Sequence, residues 1–239
     1  METKLNNMVV NYQLKGQGKT LLFLHGWSRG INKEKYNELV TLLAKKYKVL
    51  TVDFPGFGGT SEPSKPWTVE DFAKWLANFL KKEKINPDII MGHSFGGRVV
   101  IKGISKGLFS RGKLILVASA GIERKSFKVK TLIFISSLIP KIIKNLINFG
   151  SKDWREVSGV MKETMGLIVG ENLENDISRI TVPTLLIWGN EDNTTPLWQG
   201  KVINSLITNS ELKIIDGANH GVPYRRAGDV AKLIIDWVK

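Results

Sequence analysis

Residues 89–97 read Ile89-Ile90-Met91-Gly92-His93-Ser94-Phe95-Gly96-Gly97, and the order of residue types in this stretch decides the fold. Three apolar residues lead to a serine with glycine two places to either side, and an apolar run, Val99 to Ile104, follows with helical spacing. A short apolar run bounded by turn residues suits a buried strand, so the stretch predicts strand, sharp turn and helix in direct succession. Gly92 and Gly96 permit a turn in which larger side chains would collide, leaving Ser94 in a strained backbone conformation with its hydroxyl exposed. The helix beginning at Phe95 aims its positive end at that hydroxyl, and the Phe95 amide is free to bind an oxyanion.

The same alternation extends outward in both directions. Leu21–Leu24, Val49–Val52, Leu114–Val117, Thr184–Trp188 and Leu212–Ile215 are short apolar runs, each followed by turn residues. Continuous apolar runs suit strands covered on both faces, as in a parallel sheet. Between them, Leu39, Leu42, Leu43 and Tyr47 form one helical stripe, Phe72, Trp75, Leu76, Phe79 and Leu80 a second, and Val230, Ile234, Ile235 and Val238 a last one. The expectation is an α/β protein with a mostly parallel, doubly wound sheet, and with Met8–Leu14 as an antiparallel strand at one edge. From Ile122 to Arg179 the pattern is helical throughout, which predicts a helical cap insertion over 122–179 in a core domain made of residues 1–121 and 180–239.

Composition narrows the function classes. A chain of 239 residues that is 42% apolar can bury one large core, which excludes a disordered protein. The absence of cysteine removes disulfide scaffolds, thiolate metal sites and cysteine nucleophiles together. Residues 1–20 lack the apolar core of a signal peptide, and a cytoplasmic location is expected. Gly18-Lys19-Thr20 and Gly56-Phe57-Gly58 are not cofactor loops, because Gln13 and Ser61 stand where the phosphate and dinucleotide motifs need glycine. With no histidine–carboxylate cluster either, neither cofactor nor metal is expected. Lys and Arg number 35 against 22 Asp and Glu, a net charge of +13 that favours anionic partners. The basic residues are spread along the chain without any nucleic-acid-binding motif, so nucleic acid is not expected as a partner.

A serine hydroxyl is a poor nucleophile until a base takes its proton. Among the three histidines, His220 ends a strand near the C-terminus and is the expected base. His93 points away from its neighbour Ser94, and His25 lies in His25-Gly26-Trp27; both are read as structural. Asp192, directly after the strand Thr184–Trp188, is placed to orient the imidazole, ahead of its neighbour Glu191 and of Asp216.

These segments together resemble the α/β-hydrolase superfamily, and within it the capped serine esterases and lipases. The resemblance runs from Leu21-Leu22-Phe23-Leu24-His25-Gly26-Trp27, through Asp53-Phe54-Pro55-Gly56-Phe57-Gly58 and the turn at Ser94, to the Asp192 and His220 loops. It implies a catalytic triad of Ser94, Asp192 and His220, an oxyanion hole built from the backbone N–H groups of Trp27 and Phe95, and a cap that shapes the pocket. The implied activity is carboxylesterase-like hydrolysis of a small-molecule ester through an acyl-enzyme. Serine at position 94 is unlike the aspartate of haloalkane dehalogenases and epoxide hydrolases, and His25-Gly26-Trp27 lacks the glycine run common in meta-cleavage C–C hydrolases. A C–C bond hydrolase of meta-cleavage type, or a non-catalytic ligand receptor on the same fold, are the alternatives. Nothing in the sequence sets the oligomeric state.

Between Glu123 and Asp153 the chain has no acidic residue, but it carries Arg124, Lys125, Lys128, Lys130, Lys141, Lys144 and Lys152 among apolar residues. The spacing suits two amphipathic helices meeting at Pro140. The plain reading is a helix pair that buries its apolar face on the core. The sharper one is an apolar roof over an acyl pocket that makes weak contact with anionic membrane surfaces.

Overall fold

A computed structural model describes residues 1–27, 33–109, 112–122 and 159–239. Among these, eight strands form one sheet: β1 (Glu2–Leu5), β2 (Met8–Lys15), β3 (Thr20–Leu24), β4 (Lys48–Val52), β5 (Ile89–His93), β6 (Lys113–Val117), β7 (Thr184–Gly189) and β8 (Ser210–Ile215), in the order β1-β2-β4-β3-β5-β6-β7-β8. Strands β3 to β8 are parallel, while β2 runs antiparallel to β4 and β1 antiparallel to β2. The described helices are α1 (Asn37–Leu43), α2 (Val69–Lys82), α3 (Phe95–Ser105), α4 (Gly159–Val169), α5 (Glu174–Ile177), α6 (Leu197–Leu206), α7 (Val222–Arg225) and α8 (Ala227–Val238), and a 3-10 turn at Lys33–Tyr36 precedes α1.

The period-2 alternation of each central strand divides its apolar residues between two layers. Leu22, Leu24, Leu50, Val52, Ile90, Leu116 and Trp188 face α2 and α3, where Phe72, Leu76, Phe79, Val99 and Val100 are buried. Leu21, Phe23, Val49, Met91, Val117 and Ile187 face α1 and α8, where Leu39, Leu43, Val230 and Ile234 close the other core. Helix α2 starts cleanly because Thr68 and Asp71 cap each other: the Asp71 amide donates to Thr68 Oγ1 and the Thr68 amide donates to Asp71 Oδ2.

Two strand expectations need correction. Met8–Leu14 is antiparallel but not at the edge, because β1 pairs outside it, Thr3 opposite Val10. β1 is mostly polar and buries only Leu5, so its sequence carries no apolar alternation to betray it. Leu212–Ile215 is not covered on both faces: β8 is the opposite edge strand, and Ile214 is 45% exposed.

Of the segment expected to form a cap, residues 123–158 lie outside the described residues; the described remainder is helical, in α4 and α5. The chain's return is fastened to the core. The Leu173 amide donates to Gly121 O at 2.8 Å, joining the point where the chain leaves β6 to the start of α5. Beside that closure, Lys102 of α3 pairs with Asp176 at 2.5 Å and with Glu171 at 2.9 Å. Ser105 donates to the other Asp176 oxygen at 2.6 Å, and Arg98 donates to Glu171 O at 2.7 Å. Burial opposes charge on Lys102 and Asp176, but their mutual hydrogen bond, together with Glu171 beside Lys102 and Ser105 beside Asp176, outweighs it, so Lys102 is held above its usual range and Asp176 below. No described helix is long and apolar enough to cross a membrane.

The buried face of α2 and its cap set different energy scales. Leu76→Ala, at a site with no exposure, is expected to lose about 3 kcal/mol of unfolding free energy, and Thr68→Ala about 1 kcal/mol. Urea denaturation followed by circular dichroism checks both.

Candidate active site

The parallel strands end on one edge of the sheet, and the loops leaving β3, β5, β7 and β8 meet there. The turn from β5 into α3 is possible only because two glycines let backbone touch backbone. A Cβ on Gly92 would lie 2.6 Å from the Gly97 nitrogen, and one on Gly96 would lie 2.4 Å from Leu24 O at the end of β3. Between them Ser94 adopts φ 52° and ψ −112°, a conformation costing about 1–3 kcal/mol for a residue with a side chain. Hydrogen bonds hold it there. The Ser94 amide donates to Val117 O at 3.2 Å, and Ser94 O accepts from Gly97 at 3.1 Å and from Ala120 at 3.2 Å.

The turn lifts Ser94 Oγ to 3.0 Å from His220 Nε2. The other ring nitrogen, Nδ1, lies 2.9 Å from Asp192 Oδ2. Three residues far apart in sequence thus form one line from hydroxyl to imidazole to carboxylate. Asp192 is buried, with its second oxygen accepting from the Thr194 and Thr195 amides, each at 2.8 Å. The Thr195 hydroxyl sits 2.8 Å from Asp192 Oδ2 and 3.0 Å from Ala118 O. Burial pushes the Asp192 carboxyl up, but the His220 ring and the Thr195 hydrogen bonds more than offset this and hold it below the ordinary carboxylate range. Asp192 is therefore a fixed negative charge aimed along Nδ1–H. Glu191 is exposed, and Asp216 accepts from Asn190 at 3.1 Å, so neither competes for the ring.

Phe95 is the first residue of α3, so its amide has no carbonyl within the helix to bond. Trp27 follows β3 and packs edge-on against Phe57 and Phe95, with ring centroids at 4.8 and 5.3 Å. Both amides belong to segments that border Ser94: a Cβ on Gly26 would lie 3.1 Å from Ser94 Cβ.

The other two histidines are buried and hydrogen-bonded. His25 bonds Gly26 O through Nδ1 at 2.8 Å and accepts from the Phe54 amide through Nε2 at 3.1 Å, tying the β3 loop to the loop after β4. Asp53, in that second loop, accepts from the Gly59 amide at 3.3 Å. His93 points away from Ser94, with Nδ1 at 3.0 Å from the Tyr36 hydroxyl and Nε2 at 3.1 Å from His220 O. Thr195, Tyr36 and the His93 contact with His220 escaped sequence reading. For Thr195 a signal existed, since Asp192-Asn193-Thr194-Thr195 is a polar turn in which an aspartate can accept from amides two and three residues on.

Comparison with known proteins agrees with this architecture. A family model described as the alpha/beta hydrolase family matches residues 21–233. An uncharacterized hydrolase, YugF of Bacillus subtilis, is 26% identical across 96% of this chain and 93% of its own length. Monoacylglycerol lipase ABHD6 of Bos taurus is 25% identical across 93% of this chain and 76% of its own. The crystal structure of a bacterial membrane phospholipase A superposes with a TM-score of 0.79 at 22% identity, covering all of this chain and 86% of that one.

Burial lowers His93 from 6.5 to about 3, so in the native state the ring is neutral across the working range. The unfolded chain takes up this proton below about pH 6.5, so native stability falls as the pH drops from there toward 3, by at most about 1.4 kcal/mol per unit. Asp192, held below 3.8, stays ionised down to pH 5 and adds nothing to this slope. Between pH 7 and pH 5 the wild type is expected to lose about 2 kcal/mol more than His93→Gln, read from urea titrations at both values.

Proposed function

The chain belongs to the alpha/beta hydrolase family, and from that premise we propose that it is a serine hydrolase that cleaves carboxylic esters of small molecules through an acyl-enzyme. The observation that carries this reading is the unbroken line from Ser94 Oγ to His220 at 3.0 Å and on to Asp192 at 2.9 Å. Ser94 Oγ attacks the ester carbonyl carbon while His220 Nε2 takes the hydroxyl proton, and the carbonyl oxygen becomes an oxyanion. The amides of Phe95 and Trp27 donate to that oxyanion, with the positive end of α3 behind them. Collapse of the tetrahedral adduct breaks the C–O bond to the alcohol, which leaves with the proton from His220. Water then attacks the acyl-enzyme, giving its proton to His220, and the acid departs as Ser94 recovers its hydrogen. Asp192 keeps Nδ1–H oriented and favours the imidazolium at each transfer.

In this reading residues 122–179 are a helical cap over the site and residues 1–121 with 180–239 the core that carries the chemistry. A relative named as a monoacylglycerol lipase supports an acyl ester as substrate. The basic, apolar sequence between Glu123 and Asp153 supports weak contact with anionic membrane surfaces as the route to such a substrate.

Ser94→Ala is expected to abolish hydrolysis of p-nitrophenyl butyrate, since loss of a serine nucleophile costs on the order of a millionfold in turnover. A fluorophosphonate is expected to label Ser94 in the wild type and nothing in the variant. Near-wild-type turnover by Ser94→Ala overturns the assignment. Cleavage of vinylogous diketones without ester turnover moves the chemistry to C–C bonds, and an unlabelled, inactive wild type leaves a receptor. Co-sedimentation with vesicles rich in phosphatidylserine is expected at low salt and not at high salt; its absence at low salt removes the membrane contact.

A further inference from the structure

We propose that Tyr36 and His93 are positioning residues for the hydrolytic site: the Tyr36 hydroxyl fixes the His93 proton on Nε2, and that N–H holds the backbone carbonyl of His220, setting the imidazole against Ser94. This rests on the reading of Ser94 and His220 as nucleophile and base.

The argument follows the protons. His93 Nε2 lies 3.1 Å from His220 O, and a carbonyl can only accept, so the contact is attractive only when Nε2 carries the hydrogen. His93 Nδ1 lies 3.0 Å from Tyr36 Oη. A neutral ring with hydrogen on Nε2 has a bare lone pair at Nδ1, which the Tyr36 hydroxyl fills as donor. Burial secures both protonation states, lowering His93 to about 3 and pushing Tyr36 well above the usual phenol range, so the ring stays neutral and the phenol keeps its hydrogen.

Remove the Tyr36 hydroxyl and Nδ1 loses its donor, so only the His220 carbonyl still favours Nε2–H and the other tautomer, Nδ1–H, gains population. That tautomer sets the Nε2 lone pair against His220 O, which is repulsive. The His220 main chain would then shift, and with it the ring that spans 2.9 Å to Asp192 and 3.0 Å to Ser94. His93 is covalently next to the serine, so one peptide unit carries both the nucleophile and the buttress for the base. The His93 and His220 rings lie 5.0 Å apart, and Tyr224 packs edge-on against both Tyr36 and His93.

The test is a double-mutant cycle on p-nitrophenyl butyrate, with kcat and KM measured separately and folding verified by thermal melts. Tyr36→Phe is expected to lower kcat about tenfold with KM within twofold. His93→Gln keeps a donor near the Nε2 position and has no tautomers, so it is expected to retain most of the activity. His93→Leu, which has no donor, is expected to lose about a hundredfold in kcat. In the His93→Gln background, Tyr36→Phe is expected to cost less than twofold. An equal loss in both backgrounds would show that Tyr36 acts by packing and would overturn the proposal. The nitrogen-15 spectrum of the His93 ring is independent of turnover: Nε2–H alone is expected in the wild type, and a mixture in Tyr36→Phe. A wild-type ring protonated on Nδ1, or no tautomer change in Tyr36→Phe, refutes the device. Failure of fluorophosphonate to label wild-type Ser94 overturns the underlying reading of the site, and the positioning role with it.

Discussion

Two backbone segments must touch with no side chain between them, and most of the structure follows from that contact. The turn after β5 presses against the end of β3 so closely that Gly96 cannot carry a Cβ without striking Leu24 O. The approach drives Ser94 to a positive φ, and a parallel sheet with its loops on one edge then delivers Asp192 and His220 to the exposed hydroxyl. Local strain of about 1–3 kcal/mol is small beside the burial energy of two helical layers, so the core can hold a turn that no isolated peptide would keep.

Charge at the site is distributed by environment rather than by residue type. Asp192 is more deeply buried than a free carboxylate tolerates, yet it stays ionised because fixed donors surround it. His93 is equally enclosed and has only neutral partners at hydrogen-bond distance, so it stays uncharged. Two imidazoles 5.0 Å apart are thereby given different work: His93 is a neutral part of the framework, while His220 stands between a hydroxyl and an anion.

The central strands, the glycine-flanked serine and the order Ser94, Asp192, His220 were readable in the sequence because each is a local pattern: an apolar run, a turn, a chemical residue just after a strand. Features that depend on distant partners were not. Glu2–Leu5 looks polar and becomes a strand only because β2 offers it an edge. Lys102, Glu171 and Asp176 belong to no motif, and their pairing depends on a return of the chain that no periodicity encodes. Tyr36 stood out in no pattern, since a hydroxyl's hydrogen-bond partner 57 residues away leaves no mark on spacing.

The hydrogen bond from the Leu173 amide to Gly121 O closes the long excursion at its neck, and the charged cluster around Lys102 rivets the far side of that neck to α3. The described part of that excursion is not independent of the core: Met161, Met165 and Ile168 of α4 are buried in it, and Thr164 Oγ1 accepts from the Trp67 amide at 3.1 Å. Gly121 and Leu173 therefore mark a splice boundary at which an engineer can exchange segments only by supplying an equivalent of the Met161, Met165 and Ile168 face, while the β5–α3 turn and the loops after β7 and β8 stay as they are.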